Sequence, residues 1–237
     1  MKTILVTGAT KGLGQSVTQR LLTDGYRVIG TGRAISAPPD WISHEFLAYR
    51  QLELGEWRSH HEFILELEKE FGSLYGIVNN AAIGLDGVLA TMHETEIDNL
   101  IMVNVTGTIV LTKYAVRSML RARGGRIVNI ASIIATTGFN GLSVYGASKS
   151  ALLGFTRSLA RELGKANITV NSVSPGYMET HMTAGIKETD LARIMKRSPM
   201  KRLATTEEVS SVVSLLLSPG GSGMTGIDIK VDAGSTI

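Results

Sequence analysis

Short, β-branched apolar runs alternate along this chain with longer segments whose apolar residues recur every three or four positions. The runs Thr3–Val6, Arg27–Thr31, Glu45–Ala48, Gly76–Asn79, Arg126–Ile130, Thr169–Ser172 and Ile227–Val231 read as strands. Most are apolar on both faces, as strands inside a parallel sheet must be. The longer segments Leu13–Thr23, Trp57–Glu70, Thr95–Arg121, Tyr145–Leu163 and Thr206–Leu217 read as helices. Within Tyr145–Leu163, Leu152, Phe155, Leu159 and Leu163 share a helical face, and Thr206-Glu207-Glu208 places a cap and acids at a helix start. This alternation predicts a doubly wound α/β domain over residues 1–237, with a parallel sheet of about seven strands and helices on both faces. One crossover departs from the pattern. Arg33–His44 contains Pro38-Pro39 and is too short for a full helix, so it predicts a loop with at most one helical turn. Met178–Met200 carries a weak helical pattern and is expected to be mobile and to cover a substrate.

Composition narrows the class. Hydrophobic residues make up 43% of the 237 residues and charged residues 19%, which supports a packed core and argues against a disordered chain. The net charge of +3 is too small and dispersed to indicate nucleic acid, and 5% aromatics offer no base-stacking platform. Cysteine is absent, which excludes disulfides, thiolate metal sites and cysteine nucleophiles, and fits a reducing compartment. No metal site is expected. The apolar start Met1–Val6 stops at Thr7-Gly8, short of the roughly 7–15 residues of a signal core. No apolar run approaches the ~18 residues of a membrane span. The expectation is a soluble, cytoplasmic protein without membrane or nucleic-acid partners.

Six segments suggest chemistry. Thr7-Gly8-Ala9-Thr10-Lys11-Gly12-Leu13-Gly14 follows a strand and opens a helix. Glycines there let the backbone approach a pyrophosphate, whose charge the helix N-terminus favours. Val28-Ile29-Gly30-Thr31-Gly32-Arg33 ends the second strand without the acid that holds a ribose 2′-hydroxyl. Arg33, with Lys11, suits a 2′-phosphate instead and points to NADP(H). In Tyr145-Gly146-Ala147-Ser148-Lys149, Tyr145 and Lys149 share a helix face, and a cation beside a phenol lowers its pKa. Ser132 ends the fifth strand, at the edge where parallel sheets bind ligands. Its hydroxyl can donate to a carbonyl oxygen or simply leave a strand. Asn79-Asn80 can be a turn. Asn104, amid Ile101-Met102-Val103 and Val105, must be buried and hydrogen-bonded, either structurally or around a catalytic water.

These segments occur in the order of the short-chain dehydrogenase/reductase family. The chain resembles that family through Thr7-Gly8-x-x-x-Gly12-x-Gly14, Asn79-Asn80-Ala81, Asn104, Ser132, Tyr145-x-x-x-Lys149 and Pro175-Gly176, over nearly its whole length. Within the family it is most similar to the 3-oxoacyl-(acyl-carrier-protein) reductases, through Gly124–Ile130 and Pro175–Thr180. The resemblance implies a Rossmann-like fold and an NADPH-dependent ketoreduction. Tyr145 would protonate the carbonyl oxygen, Ser132 would hydrogen-bond it, and Lys149 would hold the nicotinamide ribose and lower the tyrosine pKa. Asn104 would hold a water in a relay to Lys149. Gly8, Thr10, Lys11, Gly12, Leu13, Gly14, Arg33, Glu53, Leu54, Asn80, Ala81, Pro175, Gly176, Met178 and Thr180 would surround the cofactor.

The chain departs from the family pattern in places. Ala82 stands where a glycine is usual, Glu53 where an Asp often meets the adenine, and Tyr75 where an aspartate precedes the fourth strand. Implied partners are a small or carrier-bound ketone, acyl carrier protein, and further copies of the chain in a homotetramer. Arg123, with Arg121 nearby, matches one carrier-docking position beside the active-site entrance; at the second stands Ala166, with Lys165 adjacent. Two other readings of the chain are a dehydrogenase or reductase of a sugar, cyclic alcohol or polyketide, and a non-catalytic NADP-binding regulator.

Overall fold

The computed structural model describes residues 1–179 and 188–237. Seven parallel strands form one sheet in the order β3-β2-β1-β4-β5-β6-β7. They are β1 Thr3–Val6, β2 Arg27–Gly32, β3 Leu47–Gln51, β4 Leu74–Asn79, β5 Gly125–Ile130, β6 Ile168–Pro175 and β7 Asp228–Val231. The helices are α1 Gly12–Thr23, α2 His60–Phe71, α3 Glu94–Ile101, α4 Thr108–Arg121, α5 Ile134–Thr137, α6 Ser143–Leu163, α7 Glu188–Arg197 and α8 Thr206–Leu217. Two apolar layers flank the sheet. One packs Leu5, Ile77 and Ile127 against residues of α2, α4 and α6. The other packs Ile4, Val28 and Val128 against α1 and α8. The doubly wound single-domain expectation matches this architecture.

The differences from the sequence pattern have physical causes. β3 lies at Leu47–Gln51, about two residues later than expected. It is the sheet edge, so Tyr49, Arg50 and Gln51 can continue the ladder opposite Gly30–Gly32 although they are polar. β6 runs through Ser172 and Ser174 to Pro175, all buried. Both serine hydroxyls donate to the Asp228 carboxylate at 2.8 Å, which lets polar residues sit inside the sheet. Arg33–His44 is a loop without a helical segment, as expected. Thr95–Arg121 is not one regular helix. Between α3 and α4, Met102–Gly107 is a π-helical turn. The joined helix Glu94–Arg121 is long and apolar enough to cross a membrane by length and composition, contrary to the sequence expectation, but half of its most apolar window is buried in the domain. Of Met178–Met200, where a cover is expected, residues 180–187 lie outside the described residues and Glu188–Arg197 is helical.

Candidate active site

The glycine-rich turn is pinned from behind. Asn80 Nδ2 donates to the carbonyl oxygens of Thr7 and Gly8 at 2.9 and 3.1 Å. The backbone N–H groups of Asn80 and Ala81 donate to Thr7 Oγ1, both at 3.0 Å. Asn80 therefore braces the turn rather than forming a simple β-turn of its own. A Cβ on Gly14 would lie 2.0 Å from the Gly8 carbonyl oxygen, so only glycine lets α1 start this close to the loop. Lys11 precedes α1 with no side-chain cap bond, and the first turn holds no acid. The N-terminal N–H groups are thus open to an anion. Leu13 is buried beneath them and Thr10 is partly exposed.

The end of β2 lies beside this turn. Ala9 N–H donates to the Thr31 carbonyl at 2.8 Å, which joins the glycine-rich loop to the end of β2. Lys11 and Arg33 are both exposed, and their charged ends have no partner among the described residues. Leu54 is buried after β3, with its backbone against Gly107. Glu53 is only partly buried; one carboxylate oxygen accepts from Gly55 N–H at 3.4 Å, and the side chain lines a shallow cleft with Glu56, Asp98 and Met102.

At the other end of the crevice, Ser132 follows β5 and Tyr145 stands in the first turn of α6. The Ser132 hydroxyl lies close enough to the Tyr145 phenol to favour its ionised form. Ser132 Oγ also accepts from Ile134 N–H at 3.2 Å. Lys149, one turn on, is 3% exposed, and its Nζ donates to the Ile130 carbonyl at 2.8 Å. That Nζ lies 5.8 Å from the centre of the Tyr145 ring. Burial dominates both titrations. It pushes the Tyr145 phenol up to about 12, with Ser132 pulling down and Tyr177 adding to the rise. It pulls Lys149 down to about 8. The expected lowering of the tyrosine by the lysine is therefore overturned in the chain alone: desolvation of the phenol outweighs a cation at this distance.

Asn104 sits in the π turn. Its Oδ1 accepts from Ile83 N–H at 2.9 Å, and its Nδ2 donates to the Ile83 carbonyl at 2.9 Å and to Ser148 Oγ at 3.2 Å. The side chain is thus occupied in holding the strand-end segment after Ala81 against α6. Pro175 ends β6; its carbonyl accepts from Ile133 N–H at 3.1 Å, and Gly176 N–H donates to Val231 at 2.9 Å. Met178 is partly buried beside the apolar layer of α1 and α8. Thr180 lies outside the described residues.

Several contributors escaped the sequence reading. Asn79 is not a turn residue: its Nδ2 donates to Thr112 at 2.9 Å and to Asn129 at 2.7 Å, and Asn129 donates to Thr156 at 2.8 Å. This buried ladder ties α4 and α6 to the sheet and so sets Tyr145 and Lys149 against Ser132. An asparagine between Val128 and Ile130 was its one signal, since a buried amide must find partners. Phe139 and Tyr177 meet edge-on at 6.0 Å beside the crevice. Arg123 and Lys165 are exposed, but they precede β5 and β6, at the opposite end of the sheet from Ser132. They do not lie beside the entrance of their own subunit, because α4 and α6 return the chain to the strands' amino ends. Arg121 is ion-paired with Glu68, and Ala166 packs into the core.

Comparison with known proteins agrees with this geometry. A family model described as enoyl-(acyl carrier protein) reductase matches residues 8–236. The 3-oxoacyl-[acyl-carrier-protein] reductase FabG of Buchnera aphidicola is 36% identical over 236 residues, covering 98% of this chain and 96% of the relative. FabG of Escherichia coli is 34% identical, with the same coverage. MabA of Mycobacterium bovis, also a 3-oxoacyl-[acyl-carrier-protein] reductase, is 35% identical over 233 residues, 98% of this chain and 92% of its own. Among solved structures, ElxO with NADP bound superimposes with a TM-score of 0.91 at 31% identity, covering 99% of this chain and 98% of that one. A Tyr-to-Phe variant of ElxO with NADPH bound matches equally well. With the glycine-rich turn, the serine and the Tyr-x-x-x-Lys pair joined at the carboxyl ends of the strands, and with relatives matched end to end, this chain belongs to the short-chain dehydrogenase/reductase family.

Proposed function

We propose that the protein reduces a ketone to a secondary alcohol with NADPH, and that the ketone is the 3-oxo group of an acyl thioester. The observation that carries this reading is the placing of the Ser132 hydroxyl beside the Tyr145 phenol, near enough to act on its ionisation, one helical turn from buried Lys149. Two converging hydroxyls suit a carbonyl oxygen, which accepts both and takes one proton. The family model's description names enoyl reduction, whereas the full-length relatives are named for reducing 3-oxoacyl groups; we follow the relatives.

The residues present fit the cofactor. Gly14 leaves the cradle that any side chain would fill, the uncapped start of α1 suits a pyrophosphate, and Lys11 with Arg33 supplies cations for a 2′-phosphate. When bound, NADPH supplies the hydride for the ketone carbon. Tyr145, protonated throughout the neutral range, gives its proton to the carbonyl oxygen. Ser132 donates to the same oxygen and holds it during charge build-up. Lys149 spends one N–H on Ile130 and has two left for the ribose hydroxyls. Its pKa near 8 lets it gain and lose a proton near neutrality, which suits resupply of the phenol. Glu53, Leu54, Asn80, Ala81, Pro175, Gly176, Met178 and Thr180 complete the binding set in this reading.

Assays of NADPH consumption against 3-oxoacyl thioesters, simple ketones, diketones and keto-sugars test the proposal. Selective turnover of the thioesters supports it; turnover of keto-sugars alone would replace the substrate. The reading includes a homotetramer of cytoplasmic subunits assembled through α4 and α6, checked by light scattering at micromolar concentration. Carrier docking on Arg123 and Lys165 would serve the crevice of a neighbouring copy, given their place at the far end of the sheet.

A further inference from the structure

The segment between β2 and β3 lacks the crossover helix that usually walls a parallel sheet, yet it is far from loose. The Trp41 N–H closes a turn onto Pro38 at 3.0 Å, and its indole joins Ile42, Phe46 and Leu47 in the apolar layer. Its Nε1 donates to the Ala9 carbonyl at 3.1 Å, inside the glycine-rich loop. The indole lies flush on β2: a Cβ on Gly30 would approach two of its ring carbons to 2.9 Å. Tyr49 meets the indole edge-on at 5.5 Å, and its hydroxyl donates to the Ala34 carbonyl at 2.7 Å. Gln51 Nε2 donates to the Arg33 carbonyl at 2.9 Å. The backbone beside Lys11 and Arg33, two cations without partners among the described residues, is therefore held by side chains of this loop and the edge strand.

We propose that Trp41 and Tyr49 are positioning residues for recognition of the adenosine 2′-phosphate: they fix the backbone at Ala9 and Ala34 so that Lys11 and Arg33 converge on one phosphate. This rests on the assignment of those two cations to the 2′-phosphate. The physical reason is entropic as well as geometric. Long exposed cations lose rotamer freedom when they bind, and a backbone already fixed limits further loss. The start of α1, which would meet the pyrophosphate, is braced chiefly by Asn80 through the Thr7 and Gly8 carbonyls, so it rests less on these two aromatic side chains than the cations do. The preference between cofactors, rather than binding of both, is thus the quantity that Trp41 and Tyr49 control.

The test measures dissociation constants for NADPH and NADH by cofactor fluorescence in the wild type, Trp41→Phe, Tyr49→Phe and Arg33→Ala. Trp41→Phe keeps an aromatic ring but loses the bond to Ala9; Tyr49→Phe loses only the bond to Ala34 and guards against a folding defect in the first. Each is expected to weaken NADPH several-fold, up to about tenfold, while NADH changes less than about twofold. Equal weakening of both cofactors would reduce the two residues to structural packing and overturn the proposal. So would unchanged NADPH binding in both variants. If Arg33→Ala leaves the preference for NADPH over NADH unchanged, the cation assignment fails and the proposal with it; if Arg33→Ala lowers that preference and the aromatic variants do not, the positioning role fails.

Discussion

In the proposed site, Lys149 would stand at the nicotinamide end and Arg33 at the adenosine end. Lys149 is 3% exposed and hydrogen-bonded to the backbone; Arg33 is open to solvent and free of partners among the described residues. Burial drags the lysine to about 8, so it can exchange protons at working pH. The arginine, left in solvent, would serve to attract an anion. Proton chemistry needs a desolvated group whose charge is cheap to change. Recognition of a phosphate needs a charge that does not change. The two ends of the site thus use burial in opposite ways.

The contrast can be broken most sharply at Tyr145. Tyr145→Phe keeps the ring and removes the proton, so kcat should fall by roughly 10²–10⁴ while NADPH affinity holds. A fully active variant would place the proton donor elsewhere. Ser132→Ala removes one donor to the developing oxyanion and should lower kcat by up to about 10², again with cofactor binding retained, as steady-state kinetics and cofactor titration would show.

Lys149→Met should damage both turnover and cofactor binding, unlike the change at Tyr145. It also sharpens the electrostatic argument through stability. From about pH 8 to the 10.5 of an ordinary lysine, the unfolded chain holds a proton that the folded chain has shed. Raising the pH through that window removes the cost of a buried charge, so the wild type should gain as much as about 3 kcal/mol relative to Lys149→Met. Denaturant melts of both proteins at pH 7 and pH 10 measure it; no relative gain would mean that Lys149 is not the charged, desolvated group described. At the adenosine end, Arg33→Ala should cost NADPH roughly tenfold or more and NADH little, a loss that high salt mimics. The same salt should leave the kcat of the catalytic end nearly unchanged. Smallest is the expected effect of Arg123→Ala with Lys165→Ala: slower reduction of a carrier-bound ketone with unchanged reduction of its small thioester analogue. Equal rates on both substrates would remove carrier docking from these residues.

Much of this was legible in residue order. Strand β1, helix α8 and the loop at Arg33–His44 follow directly from apolar periodicity, a capping box and Pro38-Pro39. The pair Tyr145 and Lys149 was readable because a helix puts i and i+4 on one face. The role of Asn79 was not, because a strand-end asparagine looks like a turn until Asn129 and Thr112 are beside it. Asn104 was readable as buried and hydrogen-bonded, but not its partners at Ile83 and Ser148, which lie far along the chain. Trp41 showed no periodicity at all.

Local chemistry along the chain determined the elements, the glycine-rich cradle, the cationic end of β2 and the set of hydroxyls available for catalysis. Each depends on neighbours within a few residues: a turn, a helical repeat, a strand end. What only the tertiary structure decided is which charge states those groups hold and which faces of the domain they share. Tyr145 sits near 12 and Lys149 near 8 because distant segments exclude water from both, and desolvation has no sequence signature. Arg123 and Lys165 fall at the far end of the sheet because each crossover helix returns the chain to the strands' amino ends, a consequence of parallel topology that residue spacing does not carry.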